Sequence, residues 1–76
     1  MKFSIYGRGC SKCEQLAANA ESAAKAMGVA CELEKITDMN AIIDAGVLRT
    51  PALAVDGRII VEGRVASSNA IRTLLE

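Results

Sequence analysis

Cys10 and Cys13 stand in the run Gly9-Cys10-Ser11-Lys12-Cys13, in a chain that has one further cysteine, Cys31, and no histidine. Two thiols at C-x-x-C spacing can close a disulfide and reopen it, or grip a soft metal ion. The spacing puts both at the start of a helix, where unpaired backbone N–H groups and the partial positive charge of the helix end stabilise a thiolate. In C-x-x-C motifs so placed the thiol pKa falls to about 3.5–7.5. Lys12, with Arg8 as a further candidate, adds positive charge nearby. On this reading Cys10 is the exposed attacking thiolate. Cys13, one turn on and on the apolar face, resolves the mixed disulfide formed between Cys10 and a substrate.

The competing uses of the pair are weighed on composition. An inert core pair does not fit a Cys10 that follows the Gly7-Arg8-Gly9 loop. A closed zinc site wants four ligands, and here only Cys31 could join the pair, so a self-contained zinc site is not expected. A two-coordinate copper(I) site on thiolates stays open. An odd cysteine count argues against a structural disulfide framework. Nine basic and nine acidic residues give no net charge and no basic stripe, so no nucleic-acid partner is expected. The apolar stretch from Val47 to Val55 is interrupted by Arg49 and Pro51 and is too short to span a bilayer. Met1 to Tyr6 lacks a signal-peptide apolar region, so a cytoplasmic location is the expectation. No cofactor motif is present, and a monomer is the default for a neutral domain of this size.

The elements that must position the cysteines can be read from period and punctuation. Lys2 to Tyr6 is a strand, stopped at Gly7. From Cys10 the apolar period becomes helical, with Cys13, Leu16, Ala17, Ala20, Ala24 and Met27 on one face and Gly28 as the stop. Val29 to Ile36 alternates as a second strand, its core-facing set being Val29, Cys31, Leu33 and Lys35. Cys31 is then a small buried hydrophobe, and Met27 and Met39 are core filler. Asp38 is the N-cap of a short helix through Ala45, with Gly46 as its stop. Ala52 to Val55 and Arg58 to Glu62 flank Asp56-Gly57, a hairpin turn needing positive φ at both positions. Ser67 or Ser68 caps a last helix with Ala70, Ile71, Leu74 and Leu75 on its apolar face. The order is β-α-β-α-β-β-α over one domain, residues 1–76. It predicts an α/β fold with a mixed four-stranded sheet, the first two strands parallel and the last two antiparallel, and helices on both faces.

Pro51, the only proline, opens the third strand, where a proline is tolerated. From the residues alone it reads as an ordinary trans proline. Cys-Ser-Lys-Cys at the first helix, Thr50-Pro51 before a hairpin, and a terminal helix together resemble the thioredoxin and glutaredoxin superfamily. The chain is most similar to the small thioredoxin-like family called redox-active disulfide protein 2. The resemblance is carried by Ile5-Tyr6-Gly7 with Gly9 to Cys13, by Thr50 to Gly57, and by Gly63 to Ser67, and it spans essentially the whole chain.

The resemblance implies a thioredoxin-like fold, with Pro51 cis and beside the cysteines in space. It implies that Thr50 offers its backbone to a substrate strand; with Thr50 and Pro51, Lys12 between the cysteines is a candidate for substrate binding. It implies a dithiol–disulfide oxidoreductase whose partners are disulfide-containing proteins and an unidentified reductase. Two departures stand out. Ser11 and Lys12 replace the Gly-Pro of thioredoxins, and no acidic residue lies in the first strand, where thioredoxins carry a buried Asp that assists proton transfer. The base that deprotonates Cys13 is therefore unassigned by the resemblance. The alternatives are a copper(I)-binding C-x-x-C module, whose element order is β-α-β-β-α-β, and a redox partner protein with no turnover of its own.

Overall fold

The computed structural model describes residues 1–9 and 11–75. Seven elements follow in the expected order: β1 (Lys2–Tyr6), α1 (Ser11–Met27), β2 (Glu32–Ile36), α2 (Met39–Asp44), β3 (Ala52–Val55), β4 (Arg58–Glu62) and α3 (Ser68–Leu75). They form one mixed sheet in the order β2-β1-β3-β4. β1 pairs parallel with β2 and antiparallel with β3, and β3 pairs antiparallel with β4. β1 is thus interior, and from Phe3 to Tyr6 it is buried on both faces, Ser4 included.

Alternation along the strands sorts the core into two layers. On one face Phe3, Ile5, Leu53 and Val61 pack under α1 and α3, against Leu16, Ala17, Ala20, Ala23, Ala24 and Ile71. The alanine-rich inner face of α1 lets its backbone lie close to sheet and neighbour. On the other face Tyr6, Ala52 and Ala54 meet Ile42 and Val47 from α2 and the turn after it. Helices on both faces follow directly from this division.

The termini of the elements are built as the sequence indicates. The Asp38 carboxylate accepts the Ala41 N–H at 3.3 Å, and Ser67 Oγ accepts the Ala70 N–H at 3.1 Å. Both α1 and α2 close with paired reverse hydrogen bonds: Gly28 N–H to Lys25 C=O with Val29 N–H to Ala24 C=O, and Gly46 N–H to Ile43 C=O with Val47 N–H to Ile42 C=O. Such a close needs a left-handed residue, and φ is 70° at Gly28 and 84° at Gly46. The hairpin turn has positive φ at both Asp56 and Gly57. Its Asp56 carboxylate accepts the Lys2 N–H at 2.8 Å, fastening the hairpin to the start of β1.

Several expectations are corrected. β2 begins at Glu32, not Val29, because β1 itself begins at Lys2, opposite Glu32; beyond it only the Met1 amine reaches Ala30 C=O, at 3.4 Å. Lys35 is on the α1 side of β2 but exposed, its amine reaching the Glu14 carboxylate at 3.4 Å; a long cationic side chain on an edge strand goes to water. Met39 and Leu74, read as core-facing, are 45% and 46% exposed, since the short helices α2 and α3 bury only Ile42 and Ile71 fully. Ala23, unassigned by the period, is fully buried. Cys31 is half-buried against the α1 side of the core rather than fully enclosed. Among the described residues no helix is long and apolar enough to cross a membrane.

Candidate functional site

Cys13 is the third residue of α1 and is 5% exposed, held by the same face that buries Leu16 and Ala17. A residue with no side chain, Gly7, lies against it. Gly7 follows β1 and extends the parallel ladder by one bond, its N–H reaching Ile36 C=O at 3.0 Å. A Cβ built on Gly7 would overlap the Cys13 Sγ, and would lie 3.3 Å from Cys13 Cβ and 3.9 Å from Pro51 Cα. Cys13 and Pro51 thus both border the space that a Gly7 side chain would enter. The end of β1 and the first turn of α1, neighbours in sequence, come here to the distant start of β3.

The Thr50–Pro51 bond is cis, Pro51 is buried and Thr50 is exposed. The segment 46–51 is held at several points. Val47 N–H returns to Ile42 C=O, Leu48 N–H donates to the Glu62 carboxylate at 2.6 Å, and Pro51 C=O accepts the Gly63 N–H at 2.9 Å. The Arg49 stem lies over Gly63, with its Cβ and Cδ both 3.0 Å from where a Gly63 Cβ would stand. The end of β4 thus fixes the segment that carries Thr50. Between its anchors Leu48 points to solvent, 87% exposed.

Of the residues singled out in the sequence, Cys13, Pro51 and Thr50 fall in this region. Lys12 is exposed in the first turn of α1. Cys10, the expected nucleophile, lies outside the described residues. Tyr6 is buried in the layer under α2. Cys31 lies at the opposite end of the sheet, beside the start of β1, where it lines an open cavity of about 340 Å³ with Met1, Lys2, Ala30, Glu32 and Asp56.

The sequence did not single out Gly7, Glu62 and Gly63 for the work they do here. Gly7 reads there as a strand stop, and nothing in a sequence marks a glycine as the neighbour of a particular sulfur. Glu62 binds a backbone N–H, a partner without a residue signature. A further feature was also unmarked: a slot of about 20 Å³ beside Cys13, walled by Ile5, Gly7, Gly9, Glu14, Lys35 and Thr37.

Comparison with known proteins agrees with this geometry. A family model described as thioredoxin domain matches residues 1–76. A protein named thioredoxin from Methanothermobacter thermautotrophicus is 47% identical over 75 residues, covering 99% of this chain and 97% of that protein. Another named thioredoxin, from Methanocaldococcus jannaschii, is 38% identical over 72 residues, covering 95% of this chain and 83% of that protein.

Proposed function

The chain belongs to the thioredoxin family, and from that premise we propose that it exchanges protein disulfides through Cys10 and Cys13. As a family member it is a thioredoxin-like redox protein; the residue roles, substrates and setting are our reading. The observation that carries the reading is that Cys13, in the first turn of α1, and Pro51 both border the side-chain space of Gly7. It supports a site in which a substrate strand runs past Thr50 while its disulfide faces the dithiol.

The cycle balances as follows. The Cys10 thiolate attacks one sulfur of a substrate disulfide, and the other sulfur leaves as a thiolate that takes up a proton. Cys13 gives up its proton and attacks the Cys10 sulfur, releasing the second substrate thiol and leaving a Cys10–Cys13 disulfide. A partner reductase returns two electrons and two protons. Thr50 offers main-chain groups to an extended substrate segment, a short case of strand addition. Lys12 lies at the rim and favours the thiolate form of Cys10. The protein acts as a single-domain monomer, and a reducing cytoplasmic compartment suits a dithiol that must be regenerated.

Insulin reduction, supported in turn by several reducing systems, tests the reading. The wild type turns over, Cys10→Ser does not, and Cys13→Ser accumulates a mixed disulfide visible on a non-reducing gel. Normal turnover by Cys13→Ser with a dithiol-dependent substrate would contradict the two-cysteine mechanism.

A further inference from the structure

Thr50 and Pro51 are bordered by two arginines from different segments. Arg49 immediately precedes Thr50, and Arg64 follows Gly63, whose N–H donates to Pro51 C=O at 2.9 Å. Both arginines are exposed. Among the described residues the ion pairs are Lys2 with Glu34 and Lys35 with Glu14, so neither arginine is engaged in one. Arg49 is also held in place. Its Cβ and Cδ both lie 3.0 Å from where a Gly63 Cβ would stand, so the bare backbone at Gly63 is what admits the Arg49 stem. A stem already packed on a neighbouring segment gives up less freedom when its guanidinium meets a partner. On residues 46–51 and 62–67 the single carboxylate is Glu62, which accepts the Leu48 N–H at 2.6 Å. One carboxylate against two guanidinium groups leaves this rim positive in a chain of no net charge.

We propose that Arg49 and Arg64 select substrate segments that carry acidic residues beside the target disulfide. The inference rests on the Cys10–Cys13 reading given above and names the class of partner the site takes: a protein whose disulfide is flanked by Asp or Glu. A segment that runs past Thr50 enters the field of both arginines. Guanidinium groups suit the task, because they meet a carboxylate through two parallel N–H donors. Exposed charges at a rim act on encounter and on the choice of partner more than on final tightness, and salt weakens them. Arg8 and Lys12 carry the same sign but neighbour Cys10 in sequence, where they also bear on its ionisation. Arg49 and Arg64 are remote from Cys10 in sequence, so selectivity can be altered through them with the neighbours of Cys10 left in place.

Three synthetic peptides test the inference. Each has one cysteine held as a mixed disulfide with thiopyridine, flanked on both sides by Glu, by Lys or by Gln. Attack by the Cys10 thiolate joins its sulfur to the peptide cysteine and breaks the bond to thiopyridine, which leaves as a thiolate, takes up a proton and is followed by its absorbance. Each stopped-flow rate is divided by the rate of mercaptoethanol with the same peptide, which removes differences in intrinsic reactivity. At low ionic strength the reduced wild type should favour the Glu peptide over the Lys peptide by roughly tenfold, the combined worth of two exposed charge pairs. The ratio should approach one at about 0.5 M salt. The double variant Arg49→Gln, Arg64→Gln should lower the ratio by about threefold or more, and the double variant Arg49→Glu, Arg64→Glu should favour the Lys peptide. The Gln peptide should fall between the other two in each case. The ratio, unlike the rate, is not moved by a general loss of activity. A wild-type ratio near one, or a ratio unchanged in both double variants, overturns the inference while leaving the dithiol reading intact. Thiopyridine release at the wild-type rate by Cys10→Ser overturns both.

Discussion

At Gly7 the missing side chain is what brings a sulfur and a proline together. The position is buried, and the space a methyl group would need is already occupied by the Cys13 Sγ. Gly7→Ala therefore forces Cys13 or the end of β1 to move. Overpacking of this kind costs about 1–3 kcal/mol. At roughly 4–8 °C per kcal/mol for a domain of this size, the midpoint of thermal unfolding should fall by about 5–20 °C. On the proposed mechanism the resolving step should slow with it, because the displaced atom is the sulfur that would make the attack. Gly9→Ala is the control, since among the described residues, its chain neighbours aside, no atom lies within 4 Å of its added Cβ, and its φ of 79° is the feature that resists the change. Calorimetry together with stopped-flow reaction with Ellman's reagent, in which the second aromatic thiolate released would report the attack by Cys13, separates the cases; a Gly7→Ala protein as stable and as fast as the wild type would show that the contact is not a close one. At this scale the sequence is only half legible. Residue types announced the cysteine pair and the proline, but not that Gly7 is the residue both Cys13 and Pro51 border.

Among elements, the segment between α2 and β3 matters most, because it presents Thr50. Its fixing points are a reverse turn at Gly46, the Glu62 carboxylate on Leu48 N–H and the Gly63 N–H on Pro51 C=O. Glu62→Ala removes one of them. The bond is solvent-exposed, so water replaces it and the melting point should change little. The segment's position should be less well defined, and KM for a protein disulfide should rise by about threefold to tenfold with kcat nearly constant, a loss on the order of 1 kcal/mol in binding. Glu62→Gln keeps an acceptor oxygen and should restore most of the affinity; a Gln variant as weak as the Ala variant would show that the charge, rather than the bond to Leu48, is what matters.

The boundaries of the elements were legible where local chemistry sets them, as at Asp38, Ser67 and Asp56-Gly57. They were not where a partner sets them. Val29 to Cys31 continue the alternation of β2, but a strand needs a neighbour, and β1 begins opposite Glu32. Lys35 matched the core-facing register while its charge drew it outward, and that displacement is what brings it to Glu14.

On the scale of the whole molecule, the final helix separates this fold from the small metal-carrying domains that also place C-x-x-C after a first strand. α3 packs against α1 and contributes Ile71 to the core, where the order β-α-β-β-α-β would end in a strand. The sheet between the two layers is shared by both. β1 sends Ile5 to one side and Tyr6 to the other, and β3 sends Leu53 to one side and Ala52 and Ala54 to the other. Damage to either layer should therefore reach the same cooperative unit. A domain of 76 residues has a total stability of about 4–11 kcal/mol at 0.05–0.15 kcal/mol per residue. Leu16→Ala and Ile42→Ala each remove a buried side chain from one layer, a change that costs about 2–5 kcal/mol. Both variants should lower the midpoint of a single urea transition with an unchanged slope, even though Ile42 belongs to a helix of only six residues. Ile42 also supplies the carbonyl that anchors Val47, so loosening α2 should speed amide hydrogen exchange across the segment that ends at Pro51. A normal urea midpoint for Ile42→Ala, with fast exchange confined to α2, would mean that the layer beneath that helix is an independent unit and that the site rests on the α1 side of the sheet alone.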